Sequence, residues 1–121
     1  MKKLILLLVL ISFSCKEKDA NAAAQSEVLT AAEYKAAISE TQVQLVDVRT
    51  PEEYAEGHID TALNIDFFRD DFKSAFATMD KDQPIYIYCK SGNRSGKAAK
   101  ILSELGFEEI YDLEGGFSNY N

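Results

Sequence analysis

The sequence has no tryptophan, one histidine, two prolines and two cysteines, and these scarcities exclude whole classes of protein. Two cysteines, Cys15 and Cys89, cannot staple a small disulfide scaffold. A lone histidine, His58, leaves no His/Cys cluster at metal-ligand spacing, so neither a metal nor another cofactor is expected. Basic residues are the minority, 13 Lys and Arg against 20 Asp and Glu, for a net charge of −7. They form no stripe, which argues against a nucleic-acid partner, because a phosphate backbone would find no electrostatic footprint. No apolar run approaches the ~20 residues that span a bilayer. Internal repeats are absent, and nothing past Ser26 is of low complexity. At 121 residues and 46% hydrophobic content, the chain supports one core and one domain.

Lys2 and Lys3 precede an apolar run over residues 4–11, followed by Ser12-Phe13-Ser14-Cys15. That order of charge, apolar run and small residues reads as a signal peptide over residues 1–14. Its ending at Cys15 resembles a bacterial lipoprotein signal, in which the cysteine is acylated and becomes the mature N-terminus. The chain is therefore expected to be exported and held on the periplasmic side of a membrane or at the outer surface, touching the membrane through the lipid anchor only. Loss of Lys2 and Lys3 with the signal takes the net charge from −7 to about −9. Residues 15–27 are polar and alanine-rich, and are expected to form a flexible tether reaching roughly 20 Å. With Cys15 lipidated, Cys89 is the one remaining thiol and no internal disulfide can form. An unpaired thiol in an oxidising compartment is expected to carry chemistry.

Residues 28–121 alternate between strand and helix signals and are expected to form the folded domain. Thr30-Ala31-Ala32-Glu33 is a capping box opening a helix that runs to about Ile38. Residues 43–48 read as a strand. Thr50 then supplies an N-cap, Pro51 the first helical position and Glu52 and Glu53 an acidic first turn, with Gly57 closing the helix. Residues 63–65 read as a short strand. Over 67–79, Phe68, Phe72 and Phe76 recur at a spacing of four and predict a helix with a core-facing aromatic stripe. Residues 85–88, β-branched and aromatic after Pro84, read as a buried strand, followed by a helix over 95–105 capped by Gly106 and a last strand near 110–113. This alternation predicts an α/β fold with a parallel sheet of about five strands, flanked by helices on both faces.

The chemistry concentrates in Cys89-Lys90-Ser91-Gly92-Asn93-Arg94-Ser95, between the strand at 85–88 and the helix that follows. In such folds ligands sit beyond the carboxyl ends of the strands, where Cys89 stands. Loop N–H groups and the helix N-terminus form an anion nest that favours a thiolate, and Lys90 and Arg94 add positive charge. Gly92 permits the tight turn, Ser91 and Ser95 offer hydroxyls to the sulfur or a bound anion, and the planar fork of Arg94 suits an oxyanion. Asp47 and Arg49 at a strand end, and His58, are read as structural supports.

These residues resemble the active-site loop of rhodanese-domain sulfurtransferases, and the likeness extends along residues 28–121. Leu45-Val46-Asp47-Val48-Arg49, Pro51-Glu52-Glu53-Tyr54 and Glu56-Gly57-His58-Ile59, with Ala62 and Asn64, resemble that family's first signature. Leu113-Glu114-Gly115-Gly116-Phe117 resembles its closing one, and Tyr120 stands near a position where tryptophan is common in the family. The resemblance implies that Cys89 takes a sulfane sulfur from a small donor such as thiosulfate, becomes a persulfide, and passes the sulfur to cyanide, a thiol or a protein acceptor. It implies that the loop from Lys90 to Ser95 binds and activates the substrate, and that Asp47 and Arg49 brace it. Two other readings are open. One is a non-catalytic sulfur-carrying or protein-binding module. The other is a phosphatase or arsenate reductase type of enzyme, although such enzymes place one more residue between cysteine and arginine and so make a wider cradle.

Overall fold

Ile85-Tyr86-Ile87-Tyr88 alternates two kinds of side chain along one strand, and that period of two divides the core. Ile85, Ile87 and then Cys89 face one layer, and Tyr86 and Tyr88 the other. The computed structural model describes residues 25–120. Its elements run β1 (Gln25–Leu29), α1 (Ala31–Glu40), β2 (Gln44–Asp47), α2 (Pro51–Glu56), β3 (Leu63–Asn64), β4 (Ile85–Tyr88), α3 (Asn93–Glu104) and β5 (Glu109–Leu113). The sheet is parallel throughout in the order β1-β5-β4-β2-β3, which puts β4 at its centre.

On one face, Ala98, Ala99 and Leu102 of α3 pack with Phe72, Phe76 and Phe107 against Val46, Ile85, Ile87 and Ile110. On the other, Tyr34 of α1 packs with Ile59 and Ala62 against Leu45, Tyr86, Tyr88 and Leu113. Tyr34 is fully buried, and its phenol donates to the Ile87 carbonyl at 3.0 Å, so the hydroxyl it takes out of water is satisfied. The capping box expected at Thr30 forms, and the N-cap expected at Thr50 forms as a second capping box. The Thr30 and Thr50 side chains accept from the backbone of Glu33 and Glu53, whose carboxylates reach back to the cap residues.

Three expectations change. The tether was expected to run to residue 27, but β1 begins at Gln25 and pairs along its length with β5. An edge strand with an exposed Val28 has no alternation to betray it. The helix expected over 67–79 is a series of turns with one 3₁₀ segment, Ser74–Phe76. Asp66 captures the Phe68 N–H at 3.0 Å, a local bond that competes with helix formation. Phe72 and Phe76 are buried, whereas Phe68 is 65% exposed, and the aromatic chain runs instead through Phe67, Phe72, Phe76 and Phe107. Finally, α3 starts at Asn93 because Gly92 adopts the left-handed region at φ 103° and turns the chain into the helix two residues earlier than expected. The expected signal peptide over 1–14, the lipidated Cys15 and the rest of the tether lie outside the described residues.

Candidate active site

The end of β4 fixes the sulfur. Cys89 is only 1% exposed; it continues the Ile85–Ile87 face, so its side chain lies beneath the loop that leads into α3. Because Gly92 turns the backbone left-handed, its N–H points back at Cys89 Sγ at 3.0 Å. Ser95, fully buried in the first turn of α3, places Oγ 3.2 Å from the same sulfur. An amide donor, a hydroxyl and a helix N-terminus therefore converge on one thiol, an environment that stabilises a sulfur anion. Ser91, also expected to offer its hydroxyl, is exposed and makes no hydrogen bond among the described residues. Lys90 and Asn93 are exposed on the rim.

The loop is held from below by the chain's closing turn. Phe117 N–H donates to the Cys89 carbonyl at 2.8 Å and Ser118 N–H to the Lys90 carbonyl at 3.1 Å. The contact demands glycine at 116, where φ is 64° and ψ −163°, a region essentially closed to other residues. Phe117 also stacks near Tyr88 and Tyr120, with ring centroids 5.8 and 6.2 Å away, so Tyr120 extends the aromatic layer. Arg49 lies 4.4 Å from the Phe117 ring and makes a bidentate pair with fully buried Asp47, its Nε at 3.0 Å and Nη2 at 2.7 Å. Nη2 also donates to the Gly57 carbonyl at 2.6 Å. One buried ion pair thus joins the end of β2, the end of α2 and the closing turn. His58 is exposed; its ring stacks on Tyr54 at 3.6 Å and Nδ1 donates to the Tyr54 carbonyl at 2.9 Å, consistent with a packing residue.

Arg94, whose planar fork was read as suited to an oxyanion, is engaged by a carboxylate: both its terminal nitrogens bind Glu53, at 2.7 and 3.0 Å, and its guanidinium lies 5.8 Å from the exposed Phe68 ring. The Arg94 side chain, with Thr50 assisting, holds the Glu53 carboxyl down at about 2. Glu53 is ionised at neutral pH and offsets the loop's one arginine. Sequence reasoning missed this partner because it saw in Glu53 only an acidic residue of the first helical turn; the 41-residue separation hides the contact. It also missed Asp112, an acid in the last strand that the structure buries at 4% exposure. A carboxylate inside a run read as a strand of the sheet was the available signal.

A family model described as Rhodanese-like domain matches residues 30–121. A thiosulfate sulfurtransferase, GlpE, of Shewanella oneidensis is 37% identical over 79 residues, which cover 65% of this chain and 76% of that protein. A tRNA uridine(34) hydroxylase of Erwinia tasmaniensis is 40% identical over 96 residues, 76% of this chain but only 27% of that longer protein. Among solved structures, a rhodanese-like domain protein from Staphylococcus aureus superposes with a TM-score of 0.70 at 33% identity, covering 78% of this chain and 91% of the other.

Proposed function

The chain belongs to the rhodanese-like family, and from that membership we propose that it is a sulfurtransferase working through a persulfide on Cys89. The observation that carries the reading is the sulfur of Cys89 at the end of the central strand, with the Gly92 N–H at 3.0 Å and the Ser95 hydroxyl at 3.2 Å. In the first displacement the Cys89 thiolate attacks the outer sulfur of a donor such as thiosulfate. The S–S bond breaks, and sulfite leaves with the electron pair. In the second, cyanide or an acceptor thiolate attacks the terminal sulfur, and Cys89 departs again as thiolate. The loop donors hold the charge on the persulfide as an oxyanion hole holds developing charge. A phosphatase reading loses support from the site, because Glu53, ionised down to about 2, has no proton for a leaving alkoxide. The membrane anchor on Cys15 and the exported location belong to the proposal too and rest on the pattern of residues 1–15; a mature mass carrying acyl chains on Cys15 is the expected result.

The reading is tested by steady-state transfer from thiosulfate and from small persulfides to cyanide and to thiols. Double-displacement kinetics, with parallel reciprocal plots, are expected for at least one donor and acceptor pair. Absence of turnover with every pair would leave a carrier or binding module as the better account.

The Arg94–Glu53 pair gives a sharper prediction about the donor. Glu53→Gln removes the charge that occupies Arg94 and leaves the guanidinium open to an anion. The KM for thiosulfate is expected to fall several-fold with kcat changing less, while an uncharged organic persulfide donor is nearly unaffected. The same substitution should destabilise the fold by up to about 1 kcal/mol at neutral pH. Because the Glu53 carboxyl lies below its ordinary value, the contribution is complete above pH 4.5 and is lost as pH falls towards 2. The difference in Tm between the two proteins should therefore close across that acidic interval, which thermal melts against pH would show.

A further inference from the structure

Phe68 is the one exposed phenylalanine among the described residues, and it stands at the same end of the sheet as Cys89. Val48 N–H donates to the Tyr88 carbonyl at 2.9 Å and Phe67 N–H to the Val48 carbonyl at 3.1 Å, so the hydrogen bonding continues past the ends of β2 and β3. Two strand spacings, about 10 Å, therefore separate the backbone of the Phe67-Phe68 loop from that of Cys89. The ring is held on two sides. Phe67 meets it edge-on with centroids 5.7 Å apart, and the Arg94 guanidinium lies 5.8 Å from its centroid. Arg94 belongs to the first turn of α3, whose Ser95 hydroxyl lies 3.2 Å from Cys89 Sγ. The backbone beneath is fixed as well, because Asp66 accepts from the Phe68 N–H at 3.0 Å. An exposed ring fixed in this way presents an apolar face whose ordering is already complete before anything binds.

What suits that face follows from the charge around it. Both terminal nitrogens of Arg94 are taken by Glu53, at 2.7 and 3.0 Å, so the cation nearest the ring is already neutralised. On the ring's own loop Arg69 pairs with Asp71 at 2.7 Å, which leaves Asp66 and Asp70 in excess. A negative group seated here is repelled, whereas an uncharged carbon group is not. The apolar surface is a single ring followed by the exposed, charged Arg69, Asp70 and Asp71, a size that fits a small molecule better than a protein face.

Building on the sulfurtransferase reading, we propose that Phe68 is a specificity-determining residue: its ring is the wall against which the donor's uncharged carbon group packs, so that the site takes small organic sulfane-sulfur donors, organic persulfides foremost, in preference to inorganic ones. Thiosulfonates isolate this role, because they keep the reacting sulfur and vary only the group behind it. The Cys89 thiolate attacks the outer sulfur of such a donor, the S–S bond breaks, and the sulfinate leaves with the electron pair. One persulfide anion and one sulfinate anion result from two anionic reactants, so charge is conserved.

Steady-state transfer to cyanide is compared for benzenethiosulfonate and methanethiosulfonate in the wild type, Phe68→Ala and Phe68→Leu. The preference for the phenyl donor, taken as a ratio of kcat/KM, is expected to fall roughly fivefold in Phe68→Ala, the factor that corresponds to about 40 Å² of apolar contact. Phe68→Leu should fall between the two. Comparing ratios across variants cancels the different leaving tendencies of the two sulfinates, and the loss should appear in KM more than in kcat. A merely structural Phe68 would lower the Tm and slow both donors alike, leaving the ratio where it was. A second arm needs no sulfur transfer: Cys89 is alkylated with N-benzyl iodoacetamide and with iodoacetamide, which share one reacting carbon. The benzyl reagent's relative rate should drop in Phe68→Ala by a similar factor. That drop without turnover of any donor would support the wall while removing the sulfurtransferase reading. A benzyl-to-parent ratio that does not depend on residue 68, or a thiol that reacts with neither reagent, overturns the proposal even where sulfur transfer is intact.

Discussion

Gly116→Ala is expected to lower the Tm by about 10 °C or more and to cut sulfur transfer roughly 100-fold. A methyl group built at this position lies 2.5 Å from the carbonyl carbon and oxygen of Lys90 and 2.6 Å from the carbonyl oxygen of Cys89. All three are backbone atoms of the active loop, so no side chain can swing aside to make room. The backbone angles at Gly116 add a penalty, because φ 64° with ψ −163° is open in practice to glycine alone. Together these effects should cost ~3 kcal/mol or more. Relief requires the closing turn and the Cys89 loop to move apart, which breaks the bonds from Phe117 and Ser118 and displaces the donors around the sulfur. Gly96→Ala supplies the contrast. Gly96 has open space around it on α3, and alanine there should raise stability by ~0.5–1 kcal/mol with activity unchanged. Thermal melts and transfer assays on the pair separate a general intolerance of glycine replacement from the specific packing of the closing turn on the loop.

The second large effect is loss of function without loss of fold. Cys89→Ser is expected to leave the Tm within about 1–2 kcal/mol equivalent of the wild type, since the serine oxygen can keep the Gly92 bond in the same buried position. Transfer should fall to background for every donor. A hydroxyl at this site is far from ionised at neutral pH and cannot form the persulfide, and among the described residues there is no second thiol to take over.

What the sequence revealed and what it hid divide along the distance between contacts. The Cys89 loop, the Thr30 capping box, the Thr50 helix start and the β4 strand were legible because each is set by neighbours within a few residues. Ile85 to Tyr88 could be read as buried from its own composition, and Thr50-Pro51-Glu52-Glu53 announced a helix start by itself. The site's partners were hidden where they come from afar. Glu53 reaches Arg94 across 41 residues, and Gly116 touches Lys90 backbone through a turn whose role depends on the whole sheet being closed. Local signals also misled. Phe68 shares the spacing of Phe72 and Phe76, yet an aspartate two residues before it bonds its N–H and turns the chain, leaving Phe68 exposed beside Arg94. β1 went unread because an exposed edge strand has little need of an apolar pattern; its place is fixed by pairing with β5.

The same division explains why the charge balance of the site differs from its first reading. Counting Lys90 and Arg94 in the loop suggests a strongly positive cradle, but the fold brings Glu53 onto Arg94 and leaves Lys90 on the exposed rim. Stabilisation of the sulfur anion then falls mainly to neutral donors, the Gly92 amide and the Ser95 hydroxyl, together with the start of α3.

The central claim is that sulfur passes through Cys89, and intact mass spectrometry tests it most directly. The purified chain is incubated with thiosulfate or a small persulfide, freed of donor, weighed, and then treated with cyanide. The account predicts a mass gain of one sulfur atom, located on Cys89 by peptide mapping, that disappears with cyanide as thiocyanate is formed. An unchanged mass with every donor, or a sulfur adduct carried equally by Cys89→Ser, would contradict it.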